Sequence, residues 1–267
     1  MGESEPQFLD VGNDDRRRRI AYISQAAARP GGPGIVWLIG LKSDMVSTKA
    51  QALAEWTAAR GVGLLRFDYS GHGRSSGAFT EATIGDWLEE SEAVVTQMTA
   101  GPQVLVGSST GGHVALLLLR RLIRERPADA ARVKGLVLIA PAWDLTEELM
   151  WNEFPPEARR EIMEKGVYYQ PSEYGEPYAI TRTFIEEGRN HLLAGDGFDP
   201  ARPVLVLQGL QDQAVPAAHA RRLAEVLKGG HVEITEVADG EHRLSRPEDL
   251  DKLHALIERV LAAPPSG

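Results

Sequence analysis

Residues 103–112 read QVLVGSSTGG, and this stretch decides the fold. An apolar run typical of a β-strand ends in residues 107–111, GSSTG, which fit the pattern Gly-x-Ser-x-Gly, and a helical pattern follows from His113. This strand–turn–helix context is that of a nucleophile elbow, a tight turn that exposes a serine hydroxyl at the end of a sheet. Glycines flank the serine because side chains there would collide with the neighbouring strand or helix. The sequence therefore predicts that Ser109 attacks acyl groups.

The same pattern occurs a second time, in residues 73–77, GRSSG. This copy lies inside a loop rich in glycine and serine, residues 70–78, with no strand running directly into it and no helical pattern leaving it. Without those flanks the motif is not expected to form an elbow. We therefore assign the elbow to Ser109. Its neighbour Ser108 is excluded because the two glycines straddle Ser109.

Strand-like runs recur on both sides of the elbow, and most of the later ones are continuous apolar segments, typical of parallel strands buried on both faces. They lie at residues 8–11, 20–24, 34–39, 63–69, 103–107, 135–140, 203–208 and 231–237. Helical patterns lie at residues 48–60, 83–99, 113–126, 217–227 and 247–261. This alternation predicts an α/β fold with a mostly parallel eight-stranded sheet flanked by helices.

The alternation breaks between residues 140 and 203, which enclose helical patterns at 156–165 and 180–193 and a large share of the aromatic side chains. An insertion at this point of a doubly wound sheet lies above the carboxyl ends of the strands, where ligands bind. We therefore predict a single domain over residues 1–267 with a small helical lid over residues 145–198, after the sixth strand. The candidate substrate-binding residues of the lid are Trp151, Tyr168, Tyr174 and His191.

A serine hydroxyl becomes a good nucleophile when an imidazole accepts its proton, and a carboxylate must orient that imidazole. In folds with this kind of elbow the three groups follow one another along the chain as serine, acid and histidine. Asp212 comes just after the predicted strand at 203–208, and His242 comes just after the predicted strand at 231–237. We therefore predict Ser109, Asp212 and His242 as a catalytic triad.

Other acids and histidines fit these roles less well. Asp144, just past the predicted strand at 135–140, is the alternative acid. His113 lies on the helix after the elbow and is expected to be packed, and His72 belongs to the glycine-rich loop. We expect His219 at the surface.

Acyl transfer passes through a tetrahedral intermediate whose oxyanion needs preorganised N–H donors. One donor is expected to be the backbone N–H of Thr110, at the start of the helix that follows the elbow. The second is expected from the loop after the third strand, where the backbone N–H of Leu41 is the candidate and Ser43 is the alternative.

Composition excludes several other classes of protein. The chain has 267 residues, no cysteine and a formal net charge of −9. Disulfides, a thiolate nucleophile and cysteine-ligated metal are therefore excluded, and the negative charge argues against nucleic acid as a partner. The basic residues 16–19 are interpreted as a solvated loop, with an anionic partner as the alternative.

No apolar run reaches the length of a membrane span, and no signal segment is recognised at the amino terminus. We therefore expect a cytoplasmic protein that needs no cofactor or metal and acts on a small-molecule substrate. Its oligomeric state is left open.

From about residue 8 to about residue 261 the chain resembles the α/β-hydrolase superfamily of serine esterases, most generally through FDYSGHGRS at 67–75 and GPQVLVGSS at 101–109. More narrowly, KGVYYQPSEY at 165–174 and TFIEE at 183–187 resemble the family of α/β-hydrolase domain-containing protein 10. This family is that of a mitochondrial palmitoyl-protein thioesterase, also described as an acyl-glucuronide esterase.

The resemblance implies an α/β-hydrolase fold, and the nucleophile, acid and base of the family fall on Ser109, Asp212 and His242. The expected reaction is hydrolysis of esters or thioesters of small to medium acyl groups through an acyl-enzyme on Ser109. Three alternatives stay open. They are cleavage of acyl glucuronides or carbon–carbon bonds by the same triad, cofactor-free peroxidation through a peracid, and ligand binding without catalysis by a protein that kept the fold.

Overall fold

The computed structural model describes residues 5–171 and 176–263. The strands are β1 Gln7–Val11, β2 Arg18–Gln25, β3 Gly34–Leu38, β4 Gly63–Phe67, β5 Gln103–Ser108, β6 Val133–Ile139, β7 Val167–Gln170, β8 Tyr178–Thr181, β9 Val204–Gly209 and β10 Val232–Val237. The helices are α1 Thr48–Arg60, α2 Ile84–Met98, α3 Thr110–Glu125, α4 Pro127–Ala130, α5 Pro156–Lys165, α6 Arg182–Gly188, α7 Ala217–Val226 and α8 Pro247–Ala262. A π-helical turn spans Thr146–Trp151, and 3₁₀ turns span Asp14–Arg16 and Arg189–His191.

Eight strands form one sheet in the order β1-β2-β4-β3-β5-β6-β9-β10. Strand β2 runs antiparallel to β1 and β4, and the other neighbours pair in parallel. The central strands β3 and β5 are buried along their whole length, because helices cover both faces of the sheet. The predicted fold class, a mostly parallel eight-stranded sheet between helices, is confirmed.

Local sequence explains where the helices that flank the sheet begin and end. Helix α2 begins with a capping box: the Asp86 N–H donates to Thr83 Oγ1 at 3.1 Å, and the Thr83 N–H donates to Asp86 Oδ2 at 3.1 Å. Such a box satisfies two backbone donors that a helix start otherwise leaves without acceptors. Helix α1 ends at Gly61, whose φ of 65° is easy for glycine and costly for other residues.

The basic segment at residues 16–19 is bound to helix α2, so its interpretation as a solvated loop is wrong for Arg18. The side chain of Arg18 is only 12% exposed and donates to Glu90 Oε1 at 2.7 Å. It also pairs with Asp86 and Glu89, and Arg16 donates to Asp86 at 2.8 Å. Burial raises the pKa of Glu90 to about 7. These ion pairs fasten the edge of the sheet to α2.

Residues 145–198 are less uniformly helical than expected. Helix α5 spans Pro156–Lys165 as predicted, but β7 and β8 pair in a separate antiparallel hairpin. Residues 180–193 do not form one helix, because Ile180 belongs to β8 and α6 covers only Arg182–Gly188. Aromatic and β-branched residues dominate both strands, and these residue types favour extended backbone.

Candidate active site

Strand β5 ends at Ser108 and α3 begins at Thr110, so Ser109 alone forms the turn between them. Its backbone adopts φ 53° and ψ −118°, a region that residues other than glycine rarely occupy. A side chain at Gly107 would collide with the backbone of Gly111, and one at Gly111 would collide with the backbone of β3. The two glycines therefore permit the close packing that this turn requires.

The ends of β5, β9 and β10 bring Ser109, Asp212 and His242 together. His242 Nε2 lies 3.2 Å from Ser109 Oγ, and His242 Nδ1 lies 2.8 Å from Asp212 Oδ2. Asp212 is buried, whereas the side chain of His242 is 18% exposed. When Nδ1 carries the ring proton and donates a hydrogen bond to the Asp212 carboxylate, Nε2 is unprotonated. It can then accept the proton of the Ser109 hydroxyl.

The loop after β9 holds the Asp212 carboxylate through its own backbone. Asp212 Oδ1 accepts the N–H of Ala214 at 2.9 Å and the N–H of Val215 at 2.8 Å. Hydrogen bonds from two successive backbone donors fix the plane of the carboxylate, so that its other oxygen faces His242. The local turn and the contact with the imidazole therefore support each other.

The alternative acid, Asp144, lies elsewhere. Its carboxylate accepts the N–H of Leu193 at 2.7 Å and the N–H of Ala194 at 2.8 Å, and its backbone N–H donates to His113 Nδ1 at 3.3 Å. His113 is buried, as expected, and burial lowers its pKa to about 3. Asp144 thus anchors the chain that returns from the insertion to the sheet.

The expectation that His219 lies at the surface is wrong. This residue is buried, its ring stacks on the Trp143 ring with centroids 4.3 Å apart, and its Nε2–H donates to the Trp143 carbonyl at 2.9 Å. Burial lowers the pKa of His219 to about 4. Helix α7 is amphipathic, but the sequence does not show that the Trp143 ring covers His219 on its buried face.

The loop after β3 passes beside the nucleophile. A Cβ placed on Gly40 would lie 3.3 Å from Ser109 Cβ, so this glycine brings the backbone close to the serine. The N–H groups of Leu41 and Thr110 donate no hydrogen bond to any acceptor in the described part of the chain, whereas the Ser43 N–H donates to the Gly40 carbonyl at 3.1 Å. Leu41 and Thr110 therefore keep their donors free.

Two residues of the segment FDYSGHGRS, Asp68 and His72, hold this backbone in place, and neither was predicted to have a role in the site. His72 Nε2 accepts the N–H of Lys42 at 3.1 Å, and Asp68 Oδ1 accepts the N–H of Met45 at 2.7 Å. His72 Nδ1 donates to the Ser70 carbonyl at 3.2 Å. Burial lowers the pKa of His72 to about 4, so the ring stays neutral and keeps Nε2 as an acceptor. The available signal was their position in FDYSGHGRS, the generic segment of the resemblance.

A cleft of about 1480 Å³ opens above Ser109 and His242, between the strand-end loops and the insertion. Its apolar lining includes Leu41, Leu145, Leu149, Met150, Tyr178 and Val215. Three of these residues, at positions 145, 149 and 150, come from the π-helical turn and its first flank. They were not predicted as substrate contacts, because their apolar spacing is also that of a packed helix.

Of the substrate contacts predicted in the lid, Trp151, Tyr168 and His191 do not line this cleft. The Trp151 ring lies under the guanidinium groups of Arg159 and Arg189, at 5.9 and 4.9 Å from the ring centroid. The Tyr168 ring packs against Phe154, with centroids 5.5 Å apart. His191 pairs with Glu187 at 2.5 Å. Tyr174 lies outside the described residues.

Within residues 5–171 and 176–263, no three His, Asp or Glu side chains are grouped closely enough to hold a metal ion. The helices of this part of the chain are also too short or too polar to cross a membrane.

A parallel sheet with a serine at a strand–turn–helix elbow defines the α/β-hydrolase class. The family model for serine aminopeptidase, S33, matches residues 43–181. Human palmitoyl-protein thioesterase ABHD10, mitochondrial, is 32% identical over 231 residues, covering 86% of this chain and 73% of that protein. The chain therefore belongs to the serine aminopeptidase S33 family of α/β-hydrolases, as a relative of ABHD10.

Solved structures agree with this assignment. The crystal structure of an Agrobacterium vitis S4 protein superposes with a TM-score of 0.92 at 41% identity, covering 96% of this chain and 98% of that chain. Mouse α/β-hydrolase domain-containing protein 10 gives a TM-score of 0.82 at 30% identity, with 97% and 98% covered. The predicted resemblance is confirmed. The cytoplasmic location stays a prediction, since the ABHD10 relatives are mitochondrial by name.

Proposed function

We propose that this protein hydrolyses carboxylic esters or thioesters of small to medium acyl groups through an acyl-enzyme on Ser109. The observation that carries the proposal is the chain of contacts from Ser109 Oγ through the His242 ring to Asp212, at 3.2 and 2.8 Å. The family supports hydrolysis, and the thioesterase names of its mammalian relatives support the substrate class.

In the proposed reaction His242 Nε2 takes the proton of Ser109 as the hydroxyl oxygen attacks the acyl carbon. Asp212 stabilises the imidazolium that forms. The N–H groups of Leu41 and Thr110 donate to the oxyanion of the tetrahedral intermediate, and both donors are already free of other acceptors. His242 then protonates the leaving alcohol or thiol, and the acyl group stays on Ser109.

Deacylation repeats these steps with water. His242 removes a proton from a water molecule, which attacks the acyl-enzyme, and the second tetrahedral intermediate uses the same two N–H donors. Breakdown returns the proton to Ser109 Oγ and releases the carboxylate. No step requires a cofactor or a metal.

The insertion of residues 145–198 acts in this proposal as a lid over the acyl group. Leu145, Leu149 and Met150 present apolar side chains to the cleft, and Tyr178 of the hairpin joins them. The cleft volume of about 1480 Å³ exceeds the roughly 300–1,000 Å³ of pockets for drug-sized ligands, which supports a substrate with an acyl group of at least this size class.

The test is a series of p-nitrophenyl esters and matched S-acyl thioesters from acetyl to palmitoyl, with Ser109→Ala as the control. We expect saturable turnover with an optimum in acyl length, loss of turnover in the variant, and a mass increase of one acyl group on the peptide that contains Ser109. Equal turnover in Ser109→Ala would refute the proposal. Turnover of acyl glucuronides or diketones in place of this series would favour the alternatives on the same triad.

A further inference from the structure

Gln208 occupies a buried position beside the proposed catalytic acid. It is the penultimate residue of β9, and its side chain is inaccessible to solvent. Its Nε2 lies 3.3 Å from Asp212 Oδ2, 3.0 Å from the Gly209 carbonyl and 3.0 Å from the Val215 carbonyl. The amide thus contacts both the acid and the far side of the loop that carries it.

The other half of this amide has no hydrogen bond. Gln208 Oε1 is buried and finds no donor in the described part of the chain. An unpaired buried carbonyl costs about 1–3 kcal/mol, and an apolar side chain of the same length would avoid that cost. The contribution of the Gln208 side chain therefore comes from the hydrogen bonds that its Nε2 group donates.

The oxygen that Gln208 contacts is the one that faces the imidazole. Asp212 Oδ2 lies 2.8 Å from His242 Nδ1, while Oδ1 is occupied by two backbone N–H groups of the loop. The Gln208 N–H thus approaches Oδ2 as a second donor beside the His242 N–H. It opposes rotation of the carboxylate and takes up part of the negative charge that His242 would otherwise face alone.

We propose that Gln208 is a positioning residue, which holds Asp212 Oδ2 toward His242 and weakens the attraction between the carboxylate and the imidazolium. Its effect on turnover rests on the proposed function. Its effect on the Asp212–His242 pair does not, because that pair exists whatever the substrate.

Removal of the donor has two consequences. The carboxylate becomes less restrained, so we expect kcat to fall about 10-fold with KM unchanged, since Gln208 does not line the cleft. The full charge of Oδ2 then faces His242 and favours its protonated form. The acid limb of the kcat/KM profile therefore moves to higher pH in Gln208→Met, and moves further in Gln208→Glu when the new carboxyl is ionised.

The chain offers a matched control in Gln103, a second buried glutamine. It is the first residue of β5, at the opposite end of the sheet, and its Nε2 donates to the carbonyls of Ala100 and Gly101 at 2.7 and 3.3 Å. Gln103→Met removes the same hydrogen-bonding group from a buried strand without touching the acid. We expect a lower melting temperature in this variant, with kcat and the acid limb unchanged.

The decisive measurement uses no substrate. The Cε1–H signal of His242, assigned by its loss in His242→Gln, is followed by NMR across a pH titration. We expect His242 to titrate at higher pH in Gln208→Met and Gln208→Glu than in the wild type, and at the wild-type pH in Gln103→Met. An unchanged titration in both Gln208 variants would overturn the proposal and leave Gln208 a mere loop contact. A wild-type protein that cleaves no ester or thioester would instead refute the proposed function, with the titration still readable.

Discussion

Residues 107–111 and 73–77 carry the same Gly-x-Ser-x-Gly pattern, and the two copies adopt different structures. Ser109 stands alone between a strand and a helix with φ 53°, and its hydroxyl faces His242. Ser75 lies in a loop, where its hydroxyl donates to the Asp68 carbonyl at 2.6 Å and accepts the Ala21 N–H at 2.8 Å. The difference teaches that the flanking elements, rather than the motif, decide whether a serine is presented to a substrate.

The two copies still serve one site. The loop that Ser75 stabilises also contains Asp68 and His72, which accept backbone N–H groups of the loop beside Ser109. One copy thus presents the nucleophile, and the other lies in the connection after β4 whose Asp68 and His72 support the backbone that is proposed to bind the oxyanion. Substitutions in the two copies are therefore expected to differ in kind as well as in size.

The largest contrast is expected between the two serines. Ser109→Ala removes the nucleophile and should lower kcat by about 10⁴-fold or more. Ser75→Ala removes two hydrogen bonds and leaves the buried Ala21 N–H without its acceptor, so it should cost about 1–3 kcal/mol of stability. Its kcat should remain within a few-fold of wild type. Ester turnover and urea denaturation of both variants test the contrast. Similar kinetics in the two variants would contradict the assignment of Ser109 as the nucleophile and of Ser75 as a structural residue.

A second pair compares the two aspartates that follow neighbouring strands. Asp212→Asn leaves His242 without its charged partner and should reduce kcat by about 10⁴-fold. Asp144→Asn weakens hydrogen bonds to Leu193 and Ala194 and should act on stability instead. Steady-state kinetics beside thermal melting separate the two effects. A large loss of kcat in Asp144→Asn, with little loss of stability, would show that the acid of the triad is Asp144 and that its assignment to Asp212 is wrong.

The sequence predicts the sheet and the positions of Ser109, Asp212 and His242 because each depends on a local pattern. Continuous apolar runs mark the parallel strands, and loops at their ends carry the reactive groups. The distances between these groups come only from the structure, and their catalytic roles stay predictions.

Features that depend on a partner in space were not predictable from the pattern alone. The strands β7 and β8, Val167–Gln170 and Tyr178–Thr181, are only four residues each, too short for periodicity to separate them from helix. The sequence around Arg18 predicts an exposed charge, because the contact with Glu90 of α2 forms only in the folded chain. His219 likewise becomes buried through its stacking on Trp143, a residue distant in sequence.

An intermediate effect is expected from His72, which immediately precedes the second copy of the pattern. His72→Phe preserves the packing against Phe79 and Trp87 but removes the acceptor for the Lys42 N–H. The loop next to Ser109 becomes less ordered, so kcat should fall about 10-fold with little change in KM. His254→Phe is the matched control, since that ring stacks on Trp56 and does not line the cleft. A loss confined to KM in His72→Phe would argue against a role in the oxyanion loop.

The smallest effect concerns pH, because each copy is associated with a buried neutral histidine. Burial lowers the pKa of His72 to about 4 and that of His113, just after the elbow, to about 3. In the unfolded chain both titrate near pH 6.5, so their contribution to stability is complete above about pH 6.5 and is lost as the pH falls toward their folded values. Glu90, whose pKa is raised to about 7, acts with the opposite sign.

Variants isolate the histidine contribution from that of Glu90. His113→Asn retains a side-chain oxygen that can accept the Asp144 N–H but cannot titrate. When the pH is lowered from about 7.5 to about 5, both proteins are expected to lose stability. The loss in the free energy of unfolding should be greater in the wild type than in this variant, by on the order of 1–2 kcal/mol. Urea denaturation at the two pH values gives the difference directly. An equal loss in both proteins would mean that His113 is charged in the folded state, in conflict with its burial beside the elbow.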